Sequence, residues 1–152
     1  MASRSFLRAW GIHLAPTRWR CRISKAVATG KKSDQSREFA IEAARLAANT
    51  RCHNVVILDV SGLSPVTDYM ILATGTSSRQ MRTVCDDLAE MAKERGQHSL
   101  HGTCGAEGDS WMLIDFVDVV IHVLSNDARQ FYDLDSLWGD AKKVEWSAEA
   151  AK

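Results

Sequence analysis

Apolar residues follow two different spacings along residues 33–141 of this 152-residue chain. Three stretches carry an apolar residue at every third or fourth position, which predicts helices over residues 34–50, 77–95 and 127–138. Short apolar runs rich in β-branched residues predict strands over residues 54–60, 69–73, 98–103, 111–116 and 119–124. The order α-β-β-α-β-β-β-α predicts an α/β fold, a mixed β-sheet of about five strands flanked by helices.

Charge is distributed unevenly along the chain. Residues 1–32 contain eight basic and no acidic residues, whereas the remaining 120 residues contain 11 basic and 19 acidic ones, a net charge of −8. An acidic body repels phosphate, which argues against general or sequence-specific nucleic-acid binding. It suits a basic protein partner, because complementary charge speeds association and selects partners. No apolar stretch is long enough for a transmembrane helix, so no membrane contact is expected.

The basic head, residues 1–32, is expected to form no stable fold. It lacks the apolar core of a secretory signal. Three interpretations stay open: an organellar transit peptide, a basic arm that stacks Trp10 and Trp19 on RNA bases, or a stretch upstream of the true start. The domain is predicted over residues 33–141, followed by a frayed C-terminal tail over residues 142–152.

The four cysteines form no CxxC pair, which favours free thiols in a reducing compartment over a disulfide framework. His98, His101 and Cys104 have the spacing of metal ligands. In a strand, however, positions three apart point to opposite faces, so a zinc site is disfavoured.

A second candidate chemistry is nucleotide binding. The loop Thr74-Gly75-Thr76-Ser77 follows a strand and precedes a helix, where backbone N–H groups can hold a phosphate. It matches no nucleotide-binding motif, so helix capping is the favoured interpretation. Four carboxylates could bind Mg²⁺, but their spacing favours solvated or hydrogen-bonding roles. They are Asp115, Asp118, Asp133 and Asp135.

Large aromatic residues are concentrated near the C-terminus. Phe131 and Trp138 are predicted to be core residues, since large aromatic side chains usually pack inside. Tyr132 and Trp111 are predicted to be exposed contact residues, because Trp and Tyr beside acidic residues are typical of interfaces. His122, alone in an apolar strand, is predicted to be structural.

Three segments together resemble the Iojap/RsfS family of ribosomal silencing factors. They are TDYMILATGTSSRQM (Thr67–Met81), DSWMLIDFVDVVIHVL (Asp109–Leu124) and ARQFYDLDSLWGDA (Ala128–Ala141). The resemblance covers about residues 36–141 and implies a nucleotidyltransferase-like fold without a catalytic site. It also implies a protein that binds the large ribosomal subunit through ribosomal protein L-fourteen, blocks joining of the small subunit and so represses translation. A homodimer of the free protein is implied as well.

The resemblance further implies which residues bind the partner. The family's contact positions correspond to Trp111, Met112, Asp115, Asp118, Tyr132, Leu134 and Trp138. Val117 stands where the family pattern has Gly, so the geometry of that turn is open. No cofactor, metal or enzymatic activity is expected.

Two alternatives accompany this interpretation. The first is a nucleotidyltransferase-like enzyme, which would use the Thr74–Ser77 loop together with Asp115 and Asp118, and the second is a zinc-binding adaptor. The expected location is the bacterial cytoplasm, or a mitochondrion or chloroplast if residues 1–32 are a transit peptide.

Overall fold

The computed structural model describes residues 30–97, 101–103 and 110–147. Its helices and strands agree in type and order with the predicted ones, apart from two differences near the C-terminus that are described below. In chain order they are α1 (Gly30–Asn49), β1 (His53–Asp59), β2 (Tyr69–Gly75), α2 (Ser78–Glu94), β3 (His101–Thr103), β4 (Trp111–Asp115), β5 (Val119–Ser125), α3 (Asn126–Tyr132), α4 (Leu134–Leu137) and β6 (Lys142–Lys143).

The strands form one mixed sheet in the order β3-β4-β5-β2-β1-β6. The neighbours β2 and β5 are parallel, and every other pair is antiparallel. All seven positions of β2 are buried, as expected for a central strand covered on both faces. The predicted mixed sheet flanked by helices is confirmed, while the nucleotidyltransferase-like detail stays a prediction.

The main core lies on one face of the sheet, beneath α1 and α2. The buried side of α1 is mostly alanine, so its backbone can approach the strands closely, and Phe39 packs edge-on against Phe116 with ring centroids 5.1 Å apart. The buried residues of α2 are Met81, Val84, Cys85, Leu88 and Ala92.

A smaller cluster occupies the other face, which we call the second face. Its buried members are Leu58, Val60, Met70 and Leu72, and α4 and the segment after it cover them. This cover lies over β1 and β2. The second face therefore differs from the first, because short elements near the C-terminus cover it instead of two long helices.

The predicted single helix over residues 127–138 is wrong, because the chain forms two short helices there. Asp133 lies between α3 and α4 in the left-handed conformation, with φ 42° and ψ 51°. Among residues other than glycine, Asp and Asn adopt this conformation most readily. The bend changes the direction of the chain directly after Tyr132.

The C-terminal tail also differs from the prediction of fraying from residue 142. Lys142 and Lys143 pair with β1 as a sixth strand, and the Val144 N–H donates to the Ile57 carbonyl over 2.9 Å. Val144 and Trp146 pack against the main core. Apolar side chains after residue 143 thus hold the tail on the sheet edge, at least as far as residue 147.

Several predictions concern residues outside the described part of the chain. These are the head over residues 1–29, the end of the tail over residues 148–152, and His98 and Cys104 of the suggested zinc site. No helix among the described residues is long and apolar enough to cross a membrane.

The turn between β4 and β5 contains a strained residue. Val117 has φ 73°, and the Asp118 N–H donates to the Phe116 carbonyl across it over 2.9 Å. A positive φ is unfavourable for a β-branched residue, and such strain costs about 1–3 kcal/mol. This is the position at which the family resemblance leads us to expect Gly.

Val117→Gly should therefore stabilise the protein. Relief of the strain outweighs the extra entropy that glycine gives the unfolded chain, so the free energy of unfolding should rise by about 1 kcal/mol. Urea denaturation measures this change. Val66→Gly is the matched control, because Val66 is exposed in a loop and is not among the positive-φ residues. Equal losses of stability in both variants would contradict the strain at Val117.

Candidate protein-interaction surface

Strand alternation divides the side chains of β4 between the two faces of the sheet. Met112 and Ile114 point into the main core, whereas Trp111, Leu113 and Asp115 lie on the second face and are partly exposed. Met112 is completely buried, and its Sδ lies 3.8 Å from the Cys85 Sγ. The prediction that Met112 contacts a partner directly is therefore corrected. The Met112 side chain packs in the main core, on the face of β4 opposite to Trp111.

Trp111 lies at the centre of an aromatic cluster on the second face. Its ring centroid is 4.6 Å from that of Tyr132 and 5.7 Å from that of His122. The Phe131 and Tyr132 rings meet edge-to-face, 5.1 Å apart. Residues from β4, β5 and α3 are thus brought together although they are spread over more than 20 positions of sequence.

The exposed part of this cluster is strongly apolar. Phe131 is 82% exposed and Tyr132 48%. We call Trp111, Phe131 and Tyr132 the aromatic surface. Scattered exposed apolar residues are normal, but adjacent large ones rimmed by polar groups mark interaction sites.

The prediction for Tyr132 and Trp111 as accessible residues agrees with this arrangement, whereas the core prediction for Phe131 is wrong. Helix α3 is only seven residues long, and its one buried residue is Ala128. Phe131 is three positions further on, and α3 ends one residue later, so no other described element covers its ring. Sequence periodicity could not reveal this, because it predicts one helix that continues to residue 138.

Leu134 and Trp138 have a mixed role. Both are partly buried and pack against the small cluster of the second face, which includes Leu58 and Met70. They therefore anchor α4 on the sheet, and only their remaining exposed parts are available to a partner. This arrangement agrees in part with the core prediction for Trp138.

Arg129 holds the two short helices in place, and the sequence analysis did not identify it. Its guanidinium donates to both carboxylate oxygens of Asp135, over 2.9 and 3.0 Å. It also donates to the Asn54 carbonyl over 2.8 Å and to the Thr74 Oγ1 over 3.1 Å. A separation of six residues is not a helical pairing distance, so only the bend at Asp133 makes this contact possible.

Asp115 and Asp118 shape the β4–β5 turn. The Asp115 Oδ1 accepts the Val117 N–H over 2.8 Å, and the Asp118 Oδ2 accepts the Ser36 hydroxyl over 3.4 Å. The Asp118 carbonyl also accepts the Thr67 hydroxyl over 2.9 Å. No group of three or more His, Cys, Asp or Glu side chains within the described ranges could hold a metal ion.

The loop before α2 is a helix cap. The Ser77 Oγ accepts the Gln80 N–H over 3.2 Å, and the Gln80 Oε1 in return accepts the Thr76 N–H over 2.9 Å. A Cβ on Gly75 would lie 2.2 Å from the Met81 Cγ, so α2 fills the space beside the glycine. This packing favours capping over a phosphate cradle and gives no support to the nucleotidyltransferase alternative.

Comparison with known proteins identifies the family. The family model described as "Ribosomal silencing factor during starvation" (RsfS) matches residues 33–152. The chain belongs to the ribosomal silencing factor family. The basic head, up to residue 32, precedes the matched region.

Curated RsfS relatives occur in several bacteria. The ribosomal silencing factor of Halalkalibacterium halodurans is 36% identical over 108 residues, which is 68% of this chain and 92% of the relative. That of Haemophilus influenzae is 38% identical over 56% of this chain and 82% of the relative. The chloroplastic protein Iojap of Arabidopsis thaliana is 31% identical, and the match covers 73% of this chain and 46% of that protein.

Solved structures share the fold. A crystal structure of a protein from Chromobacterium violaceum has a TM-score of 0.62 at 33% identity and covers 78% of this chain and 95% of its own. A second, from Bacillus halodurans, has a TM-score of 0.60 at 30% identity. The RsfS family and its mixed α/β sheet are thus supported by both sequence and structure.

Both cysteines in the described part of this RsfS chain, Cys52 and Cys85, are buried. Burial raises the pKa of the Cys52 thiol, and the hydrogen bond from Gln80 opposes that rise. Neither cysteine lies in the aromatic surface, so the thiols have a packing role in this fold.

His122 is a buried titratable group beneath Trp111. Burial lowers its pKa from 6.5 to about 4, because the charged form loses solvation. The unfolded chain therefore binds more protons than the folded one between these two pH values. The contribution of neutral His122 to stability is fully present above pH 6.5 and is lost as the pH falls towards 4.

The protein should therefore become less stable on mild acidification. The His122 contribution to this loss should reach about 3 kcal/mol between pH 6.5 and pH 4. Urea denaturation at a series of pH values measures the loss. In His122→Leu the slope in this range should be smaller, while the control Leu63→Ala, at an exposed position without a titratable group, should keep the wild-type slope. Identical slopes in His122→Leu and wild type would contradict this assignment.

Proposed function

We propose that the protein binds the large ribosomal subunit through ribosomal protein L-fourteen and thereby blocks joining of the small subunit. Translation is repressed as a result. The observation that carries this proposal is the aromatic surface. Trp111 and Tyr132, two positions implied by the family resemblance, are in contact and accessible in the fold.

The chemistry of the surface supports a protein partner. Trp and Tyr are enriched among residues that dominate binding energy, because they combine a large apolar area with a polar group. The Trp111 ring contacts the rings of both His122 and Tyr132, and Phe131 adds a ring that is 82% exposed. A rigid set of aromatic rings loses little conformational entropy on binding.

Charge supports a basic partner. Residues 33–152 have a net charge of −8, and the exposed Asp127 and Asp133 lie on or beside α3, which carries Phe131 and Tyr132. A surface of this sign attracts a basic ribosomal protein more strongly than the surrounding RNA. Ion pairs at the rim would mainly raise the association rate, while the aromatic rings would limit dissociation.

The proposed mechanism is steric and requires no catalysis. A domain of about 100 residues is roughly 25–30 Å across, which is larger than the close contacts between ribosomal subunits. Once bound at the subunit interface, the domain would exclude the small subunit by its volume. The Asp115 and Asp118 carboxylates accept hydrogen bonds from Val117 and Ser36, and this mechanism gives them no chemical step.

Two further features of the resemblance remain proposals. The first is a homodimer of the free protein, which sedimentation velocity tests. The second is the compartment: the bacterial cytoplasm, or an organelle if residues 1–32 are a transit peptide. A fluorescent protein fused behind residues 1–32 would be imported into organelles in the second case and would stay in the cytosol otherwise.

Trp111→Ala and Tyr132→Ala should each weaken binding to the large subunit. The expected loss is about 1–4 kcal/mol per variant, the range for residues that dominate an interface. Co-sedimentation with separated bacterial-type ribosomal subunits measures the binding. Leu63→Ala is the matched control, because Leu63 is 51% exposed in the β1–β2 loop, at the opposite end of the central strands.

Subunit joining gives the second readout. Wild-type protein should lower the yield of complete ribosomes from mixed subunits, and the Trp111→Ala, Tyr132→Ala double variant should not. A folded double variant that binds the large subunit as tightly as wild type would refute the proposed surface. The experiment is repeated without residues 1–32, and unchanged binding would show that the head is dispensable.

A further inference from the structure

His122 is unusual among the buried residues of β5. It is only 7% exposed, and the neighbouring buried positions of the strand are apolar. In the sheet it stands opposite Leu72 of β2 and Leu113 of β4. A polar ring in such surroundings loses solvation, so stability alone favours an apolar side chain here.

The hydrogen bonding of the His122 ring is incomplete. Its Nδ1 accepts the Trp111 Nε1–H over 3.1 Å. Because Nδ1 accepts, the neutral ring carries its proton on Nε2. That Nε2 is buried and has no hydrogen-bond partner among the described residues. A buried donor without a partner destabilises the folded state by about 1–3 kcal/mol.

The one hydrogen bond that His122 does make is directed at the aromatic surface. Trp111 is partly exposed, so water could satisfy its indole N–H without His122. The bond therefore contributes little to stability, but it restricts rotation of the indole. Tyr132 contacts the same indole, with ring centroids 4.6 Å apart.

We propose that His122 is a positioning residue for the partner-binding surface: its Nδ1 holds the Trp111 indole in the orientation that the ribosomal partner binds. The inference rests on the proposed function. It explains why a polar group with an unsatisfied N–H stands in an otherwise apolar strand. The ring acts through Trp111 and, because its own atoms are buried, does not touch the partner.

Two substitutions separate positioning from packing. His122→Leu removes the acceptor and the unsatisfied donor together. His122→Asn keeps an acceptor, because the Asn Oδ1 is attached to Cγ as the His Nδ1 is. Three quantities are measured on the full chain: the urea midpoint, the position and exchange rate of the Trp111 indole N–H signal by NMR, and the Kd for the large ribosomal subunit.

The expected results differ between the two variants. His122→Leu should keep the wild-type urea midpoint or raise it at pH 7.5, while the indole N–H signal shifts and exchanges faster. Its Kd should rise by up to about tenfold, because the indole is then no longer held in place and must be ordered when the partner binds. His122→Asn should retain the slow indole exchange and a Kd within about threefold of wild type, since the acceptor remains.

A double-mutant cycle provides an independent check. Trp111→Phe removes the indole N–H but keeps an aromatic ring, and in this background His122→Leu should not weaken binding further. Additive effects of the two substitutions would overturn the proposal. Wild-type binding by a His122→Leu variant whose indole signal has changed would overturn it as well.

Failure of the proposed function gives a different result. If Trp111→Ala also binds the large subunit as tightly as wild type, the aromatic surface is not the binding site and the proposed function fails. If Trp111→Ala weakens binding and His122→Leu does not, the surface stands and only the positioning role is refuted.

Discussion

The parallel pairing of β2 with β5 determines where the functional elements of this chain lie. The register runs from Tyr69 opposite Val119 to Gly75 opposite Ser125, so the two central strands end side by side. Parallel neighbours need a long connection, and here the connection contains α2 and the strands β3 and β4. Helix α3 begins directly after β5, at the same end of the central strands as the C-terminus of β2. Arg129 can therefore reach the Thr74 hydroxyl and the Asn54 carbonyl.

The same pairing explains the form of the aromatic surface. β4 lies beside β5 with Trp111 opposite Leu124, one residue before β5 ends. Trp111 is therefore next to the start of α3. The seven residues of that helix are enough to bring Tyr132 into contact with Trp111. Arg129 and its bidentate contact with Asp135 then hold the bend that leaves Phe131 exposed. The central Trp111 therefore lies on a strand of the sheet, and the outer rings of Phe131 and Tyr132 lie on the short helix that ends at the bend.

Two regions that first suggested chemistry have structural roles in the fold. The Thr74–Ser77 loop caps α2, and Gln80 of that helix also reaches back to the Thr50 carbonyl over 2.7 Å. Asp115 and Asp118 hold a turn that contains a residue at positive φ. Among the described residues, neither region gives support to a nucleotide or metal site, so the aromatic surface is the best-supported site.

The sequence by itself determined the strands, the two long helices and the family, because side-chain polarity with period 2 or 3.6 is a local property. It also indicated Trp111 and Tyr132 as accessible aromatic residues. Only the tertiary structure decided that Met112 is buried while its neighbour Trp111 is not, and that Phe131 is exposed. Burial depends on which elements pack over a residue. Around α3, the left-handed conformation of Asp133 and the Arg129 contacts determine which elements do so. Likewise, the hydrogen bond between His122 and Trp111 joins residues 11 positions apart, and it forms only because β4 and β5 pair in one register.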